Sequence, residues 1–169
     1  MTRSRPGHKL KRVLGAMLLC MGNTQVAAQA GNAPEAIENV LDAYHQAAAV
    51  GDWDTYFDLM SENSVFLGTD VGERWTREEF RAYAGSRSGW IYRAVNRHID
   101  FTPDGDTAWF DEVLDSASYG TARGSGVVIN TEAGWKISQY HLTFPIPNEL
   151  VGEIIQQIKA FETEDQQPR

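Results

Sequence analysis

The sequence predicts an α+β domain in which N-terminal helices are followed by a curved antiparallel sheet that wraps them, and then by a closing helix. Three observations carry that prediction. Ile37, Val40, Leu41, Tyr44, Ala47 and Ala48 recur at helical spacing between Pro34 and Val50. From Trp90 onward the periodicity changes from helical to alternating. Within that second half, Ala122–Pro145 sets two runs of strand-forming residues around the turn set Thr131-Glu132-Ala133-Gly134, as a hairpin with a short loop requires.

In chain order, the first segment is Met1–Ala30. It holds Arg3, Arg5, Lys9, Lys11 and Arg12 and no acid, then the apolar run Val13–Met21, then Ala28-Gln29-Ala30. Those are the basic, apolar and small-residue parts of a secretory signal peptide, with cleavage expected after Ala30. The apolar run is too short to span a bilayer as a helix, so no membrane anchor is expected and the product is periplasmic or secreted. Cys20, the only cysteine, leaves with the signal, so the mature chain has no disulfide or thiol chemistry. Removing five basic residues from the 15 present leaves ten against 23 acids, a net charge of −13. So acidic a chain lacks the basic stripe that phosphate backbones demand, which argues against nucleic acid as a partner. Its acids read as a solvated surface that keeps an exported protein soluble. The sequence is long enough for one core, which places one domain at 31–162 and a flexible tail at 163–169.

The first helix is expected over Pro34–Val50, with Pro34 in its first turn and Gly51 as its stop. Asp52 then caps a second, shorter helix through Met60, with Trp53, Tyr56, Phe57 and Met60 on its apolar side. Ser64–Thr69 reads as a short strand. Thr76 with Glu79 three residues on forms a capping-box pattern, opening a third helix that runs through Phe80 and Tyr83 to about Ala84. Strands follow at Ile91–Phe101, Thr107–Ser116, Thr121–Asn130 and Trp135–Phe144, with Pro103-Asp104-Gly105-Asp106 as one turn. Asn148–Phe161 closes the chain as a helix whose apolar positions are Leu150, Val151, Ile154, Ile155 and Ile158.

Sheet register then nominates site residues. With a two- or four-residue hairpin loop, Gly124 falls opposite His141, Gly126 opposite Gln139, Val128 opposite Ile137 and Asn130 opposite Trp135. One face then carries Trp135, Ile137, Gln139 and His141 above small partners. Two glycines beneath a histidine and a glutamine suggest space kept open above the sheet; the alternative is that they mark a bulge or a bend. If Ala117 closes opposite Gly120, then Trp109, Asp111 and Val113 share that face. A slip of one residue instead puts Phe110, Glu112 and Leu114 inside. Either register points one carboxylate inward near His141, and a carboxylate beside an imidazole sets its tautomer, which is how a general base near neutral pH is built. Arg93 and Arg97 share a strand face, from which an arginine can pair with Asp111 or meet an acidic ligand. Trp75, just before the third helix, is a candidate lid.

The helix ending Ala49-Val50-Gly51-Asp52-Trp53-Asp54, the second helix ending near Leu59-Met60-Ser61-Glu62, the strand at Ser64–Leu67 and the final strand opening Gly134-Trp135-Lys136-Ile137 together resemble the SnoaL-like domains of the nuclear transport factor 2-like superfamily. The resemblance covers Ala33 to about Phe161. It implies a cone, in which the concave sheet face and the helices enclose a pocket while the convex face pairs two subunits as a homodimer. The outer face of the last strand would then be Lys136, Ser138, Tyr140, Leu142 and Phe144. Within the superfamily, the ketosteroid isomerase branch polarises a carbonyl with a helix-one tyrosine and a strand aspartic acid while another aspartate moves the proton. Tyr44, eight residues before Asp52, is similar in position to that tyrosine. At the place of the proton-moving aspartate this chain has Gly68, with Asp70 two residues on, and near the second acid it has Gly126 or Val127.

His45, His98 and His141 show no metal-ligand spacing, and no phosphate loop or nucleophile elbow is present, so neither metal nor cofactor is expected. Two functions of different class are carried forward. One is an exported protein that binds a small apolar or aromatic molecule in the cone, with Tyr56, Trp75, Arg97, Trp109 and Gln139 as ligand-binding residues. The other is a cofactor-free isomerase, cyclase or lyase in which Asp70, Asp111, His141 and Tyr44 serve proton transfer. A dimeric scaffold with a filled cone is the third alternative.

Overall fold

The computed structural model describes Met1 and residues 24–165. Most of the expected signal segment and the end of the expected tail lie outside the described residues. Three helices and two strands come first: α1 (Thr24–Val50), α2 (Trp53–Asp58), β1 (Met60–Leu67), β2 (Arg74–Thr76) and α3 (Arg77–Ala84). Four long strands and a helix follow: β3 (Arg93–Phe101), β4 (Thr107–Ser116), β5 (Gly120–Thr131), β6 (Gly134–Thr143) and α4 (Val151–Asp165). Helix α1 begins upstream of the expected start at Pro34 and runs through Ala30. Among the described residues no helix is long and apolar enough to cross a membrane.

The helix caps form as the residue types require. The Asp52 carboxylate accepts the Thr55 backbone N–H at 3.1 Å, satisfying one of the orphan donors of α2. Both halves of the capping box form at α3: Thr76 Oγ1 accepts from Glu79 N–H and Glu79 accepts from Thr76 N–H at 2.8 Å.

The strands make one six-stranded sheet in the order β2-β1-β6-β5-β4-β3. Neighbours are antiparallel except β1 and β6, which run parallel. Strand β2 is a short edge strand that the alternation did not reveal. Helices α1 to α3 cover the concave face, where Ile37, Leu41, Tyr44 and Ala48 of α1 pack with Phe57, Phe66, Phe80, Phe110, Val128 and Ile137. This is the expected α+β cone.

Two corrections to the expected register decide which side chains enter it. Strands β5 and β6 pair as expected near the turn, with Asn130 opposite Trp135 and Val128 opposite Ile137. A bulge in β6 after Ile137 then inserts one residue, so Gly126 meets Tyr140 instead of Gln139, and Gly124 meets Leu142 instead of His141. Because side chains alternate, that single residue turns Gln139 and His141 outward and Tyr140 inward. The outer face expected for Tyr140, Leu142 and Phe144 is therefore also corrected: Tyr140 is buried, and the other two line the interior cavity. Between β4 and β5, Ser116 rather than Ala117 pairs with Gly120, which closes a three-residue loop with Gly120 at φ 74°. That is the slipped register, and it buries Phe110, Glu112 and Leu114 while exposing Trp109 and Asp111.

Candidate functional site

A cavity of about 180 Å³ opens between the concave face and the helices. Its walls are mostly aromatic, from Phe66, Trp75, Phe80, Tyr83, Trp90 and Phe144 among others. Its deep end is polar, where Tyr44 and His45 of α1, Tyr56 of α2 and Tyr140 of β6 converge.

Behind that end lies Glu112, fully buried. Its Oε1 accepts the Tyr140 hydroxyl at 2.8 Å and pairs with His45 Nε2 at 2.7 Å. Its Oε2 accepts Arg97 Nε at 2.9 Å; Arg97 Nη2 stands 2.8 Å from the same carboxylate, off the hydrogen-bond line. Arg97 in turn donates through Nη1 to Asp42 at 2.9 Å, so the chain of charges ends at the surface. Asp42 and His45 sit one helical turn apart on α1, and one stretch of helix therefore holds both ends of the network.

The glycines opposite β6 make this packing possible. At Gly124 a Cβ would collide with the Tyr140 hydroxyl and the Glu112 carboxylate. The space expected above the glycines is thus filled by the partners that satisfy Glu112, and the role of Gly124 is close approach.

Electrostatics fix the protonation pattern. Burial pushes the Glu112 carboxyl up, but the His45 hydrogen bond, the charges of His45 and Arg97 and the Tyr140 hydroxyl outweigh it and hold the group below its ordinary range. Burial also raises Tyr44, Tyr56 and Tyr140, so all three hydroxyls are neutral. The Tyr56 hydroxyl donates to that of Tyr44, and the two rings stack with centroids 4.0 Å apart. An ionised carboxylate only accepts, so His45 donates from Nε2; in the neutral ring Nδ1 is then the acceptor. Tyr140 gives its one proton to Glu112 and Tyr56 gives its own to Tyr44, so the end of the cavity offers the Tyr44 hydroxyl as a donor to a carbonyl or phenol oxygen, the other hydroxyl oxygens as acceptors, and one carboxylate-backed imidazole for a proton.

Of the residues nominated from sequence, Tyr44, Tyr56 and Trp75 line this cavity. Arg97 stands behind it, holding Glu112. Asp111, Trp109, Gln139 and His141 do share one face, as register implied, but it is the outer face, because both registers moved by one residue together. Asp70 is exposed in the loop after β1, where its carboxylate accepts the Gly72 N–H at 2.7 Å. His45 and Tyr140 are not among the nominated residues, and Glu112 is the inward carboxylate of the slipped register. The sequence favours that register over the other: the alternate set Ala108, Phe110, Glu112, Leu114 has one acid among apolar residues, whereas its neighbours include both Asp111 and Asp115. Among the described residues no group of three or more His, Cys, Asp or Glu side chains is arranged to hold a metal ion.

The fold is shared with many solved structures. One named provisionally as an aromatic ring hydroxylase from Novosphingobium aromaticivorans is 23% identical, with a TM-score of 0.59 over 69% of this chain and 91% of that one. One named provisionally as a scytalone dehydratase from the same organism is 16% identical, with a TM-score of 0.57 over 67% and 84%. An NTF2-like protein with a cystatin-like fold, also from that organism, is 18% identical, with a TM-score of 0.57 over 74% and 91%. No curated protein matches the chain. The SnoaL-like domain family matches residues 37–147, most of the sequence and nearly all of the cone. With that match over most of its length, the chain belongs to the SnoaL-like domain family, and it has the fold of the NTF2-like structures.

Proposed function

We propose that this protein binds a small, largely apolar ring compound in the cone, with an oxygen substituent of the ligand at the tyrosine and histidine end. The cavity itself carries this reading: aromatic walls lead to a small set of convergent polar groups, the usual composition of a small-molecule site. Its size fits the ligand class, since a cavity of about 150 Å³ accommodates benzene. The proposed compartment is the periplasm or the exterior, supported by the order of basic, apolar and small residues in 1–30.

A second reading, proton transfer by a cofactor-free lyase or isomerase, is favoured by one specific observation. His45 is backed by a buried carboxylate and lies beside Tyr44, whose hydroxyl proton is uncommitted, which is the arrangement of a general base with a hydrogen-bond donor for a developing oxyanion. The name of the dehydratase-like relative agrees with that chemistry.

Titration of tryptophan fluorescence with the neutral phenol 3-tert-butylphenol tests the binding reading. Saturable quenching is expected for the wild type and its loss for Leu142→Trp, which fills the cavity; quenching that never saturates would sink the proposal. Proton transfer is then tested on a ligand retained through native mass spectrometry. His45→Ala is expected to leave its binding and abolish its deuterium exchange or water loss, whereas no turnover by the wild type removes the second reading.

A further inference from the structure

One carboxylate of the cavity wall takes no part in the Glu112 network. Glu73, in the loop before β2, lines the cavity beside Gly68. Its Oε2 lies over Gly68, so that a Cβ at position 68 would collide with it. Strand β1 buries Ser64 and Phe66 on alternate positions, and Gly68 continues that row. The Glu73 carboxylate therefore occupies the place of an inward side chain, put there from a neighbouring segment because residue 68 has none.

The surroundings of that carboxylate are what a cation needs. Its hydrogen-bond partner is the Asp70 N–H at 3.2 Å, and among the described residues no lysine, arginine or histidine pairs with it. No lysine or arginine lines the cavity. Phe66, two residues along the strand, stacks with Trp75 at 16° between planes, and Trp90 lies at 2° to Phe80 and 18° to Tyr83. Ring faces attract cations, most strongly where water is excluded. At the rim this already happens, since the Arg87 guanidinium rests 4.0 Å from the centroid of Tyr83.

Building on the ligand-binding reading above, we infer that the cavity selects a small organic cation, a protonated arylalkylamine or an aryl quaternary ammonium compound. Its charge lies against Glu73 and the Phe66–Trp75 faces, and its oxygen reaches toward Tyr140 and His45. The pocket thus has two recognition ends, a carboxylate with aromatic faces at the wall and hydroxyls with an imidazole in the depth.

Isothermal titration calorimetry of the full protein at physiological salt tests this with two probes of the same shape, (3-hydroxyphenyl)trimethylammonium and 3-tert-butylphenol, which differ in one N⁺ for one C. The cation is expected to bind about tenfold more tightly than its neutral twin. Glu73→Gln, which keeps an acceptor for the Asp70 N–H, is expected to remove most of that advantage, while Glu132→Gln at the distant hairpin turn leaves it intact. Saturable binding of both probes with no preference for the cation overturns this inference alone and leaves the binding reading standing. A preference unchanged in Glu73→Gln overturns it as well, since the attraction would then come from overall acidity. Binding of neither probe overturns both.

Discussion

Strand β4 carries two adjacent carboxylates, and each faces a histidine. On the outer face Asp111 stands 3.6 Å from Nδ1 of His98, with both side chains half exposed or more. On the inner face Glu112 meets His45 at 2.7 Å, with the carboxylate entirely out of water. The residue types match and the physics does not. Outside, solvent screens the pair and either side chain can rotate away at little cost. Inside, a charge persists only because Arg97, His45 and Tyr140 replace the water it lost. The difference teaches that a carboxylate beside a histidine is held in place by the groups around the pair, and that facing a sheet's inside is what supplies them.

The strongest way to break this contrast is Glu112→Ala. It leaves the Arg97 guanidinium, the Tyr140 hydroxyl and His45 buried without their common acceptor, and we expect a loss of about 3–5 kcal/mol in urea unfolding. Glu112→Gln keeps an acceptor and the volume and should cost less. Equal unfolding midpoints for Glu112→Ala and Asp111→Ala would show that burial of β4's inner carboxylate carries no special weight. Tyr140→Phe comes next, because a hydrogen bond to a charged acceptor contributes about 1.5–3 kcal/mol. It also separates stability from binding: the cavity keeps its ring but loses its hydroxyl.

Acid sharpens the same comparison. The Glu112 carboxyl is held below its ordinary value of 4.5, so the native state releases this proton more readily than the unfolded chain does. Its contribution is fully present above about 4.5 and is lost as pH falls through the lower native value. The gap between the urea midpoints of the wild type and Glu112→Gln should therefore narrow as pH falls below the ordinary value of 4.5. A gap that stays constant as the acid is added would mean that the carboxylate is not depressed in the native state.

Local chemistry made much of the fold legible. The apolar stripe Ile37, Leu41, Tyr44 and Ala48, the Asp52 cap, the Thr76–Glu79 box and the hairpin turn at Thr131–Gly134 are all set by residues within a few positions of one another. The site was less legible because it depends on register. One inserted residue in β6 exchanges Tyr140 for Gln139 and His141, and nothing in the alternation of Ser138, Gln139, Tyr140 and His141 marks where the extra residue falls. His45 was hidden for another reason. It stands beside the core residue Tyr44 on α1, and only the three-dimensional approach of β4 and β6 gives it a partner. Glu73 depends on a carboxylate reaching across to the empty place of Gly68, a relation that no strand or helix period encodes.

The smallest expected effect is the most discriminating. A double-mutant cycle on the outer pair, with His98→Ala, Asp111→Ala and both together, should give a coupling energy of no more than about 0.5 kcal/mol, and less in high salt. The same cycle on His45 and Glu112 should give several times that value and depend less on salt, because the carboxylate is fully buried and the imidazole only 11% exposed. Part of the inner coupling belongs to Arg97 and Tyr140, which each single substitution also disturbs, so repeating the inner cycle in a Tyr140→Phe background isolates the imidazole's share. Were the outer pair to couple as strongly as the inner one, then distance and residue type alone would set the interaction, and the buried network would lose its claim to make His45 different from His98.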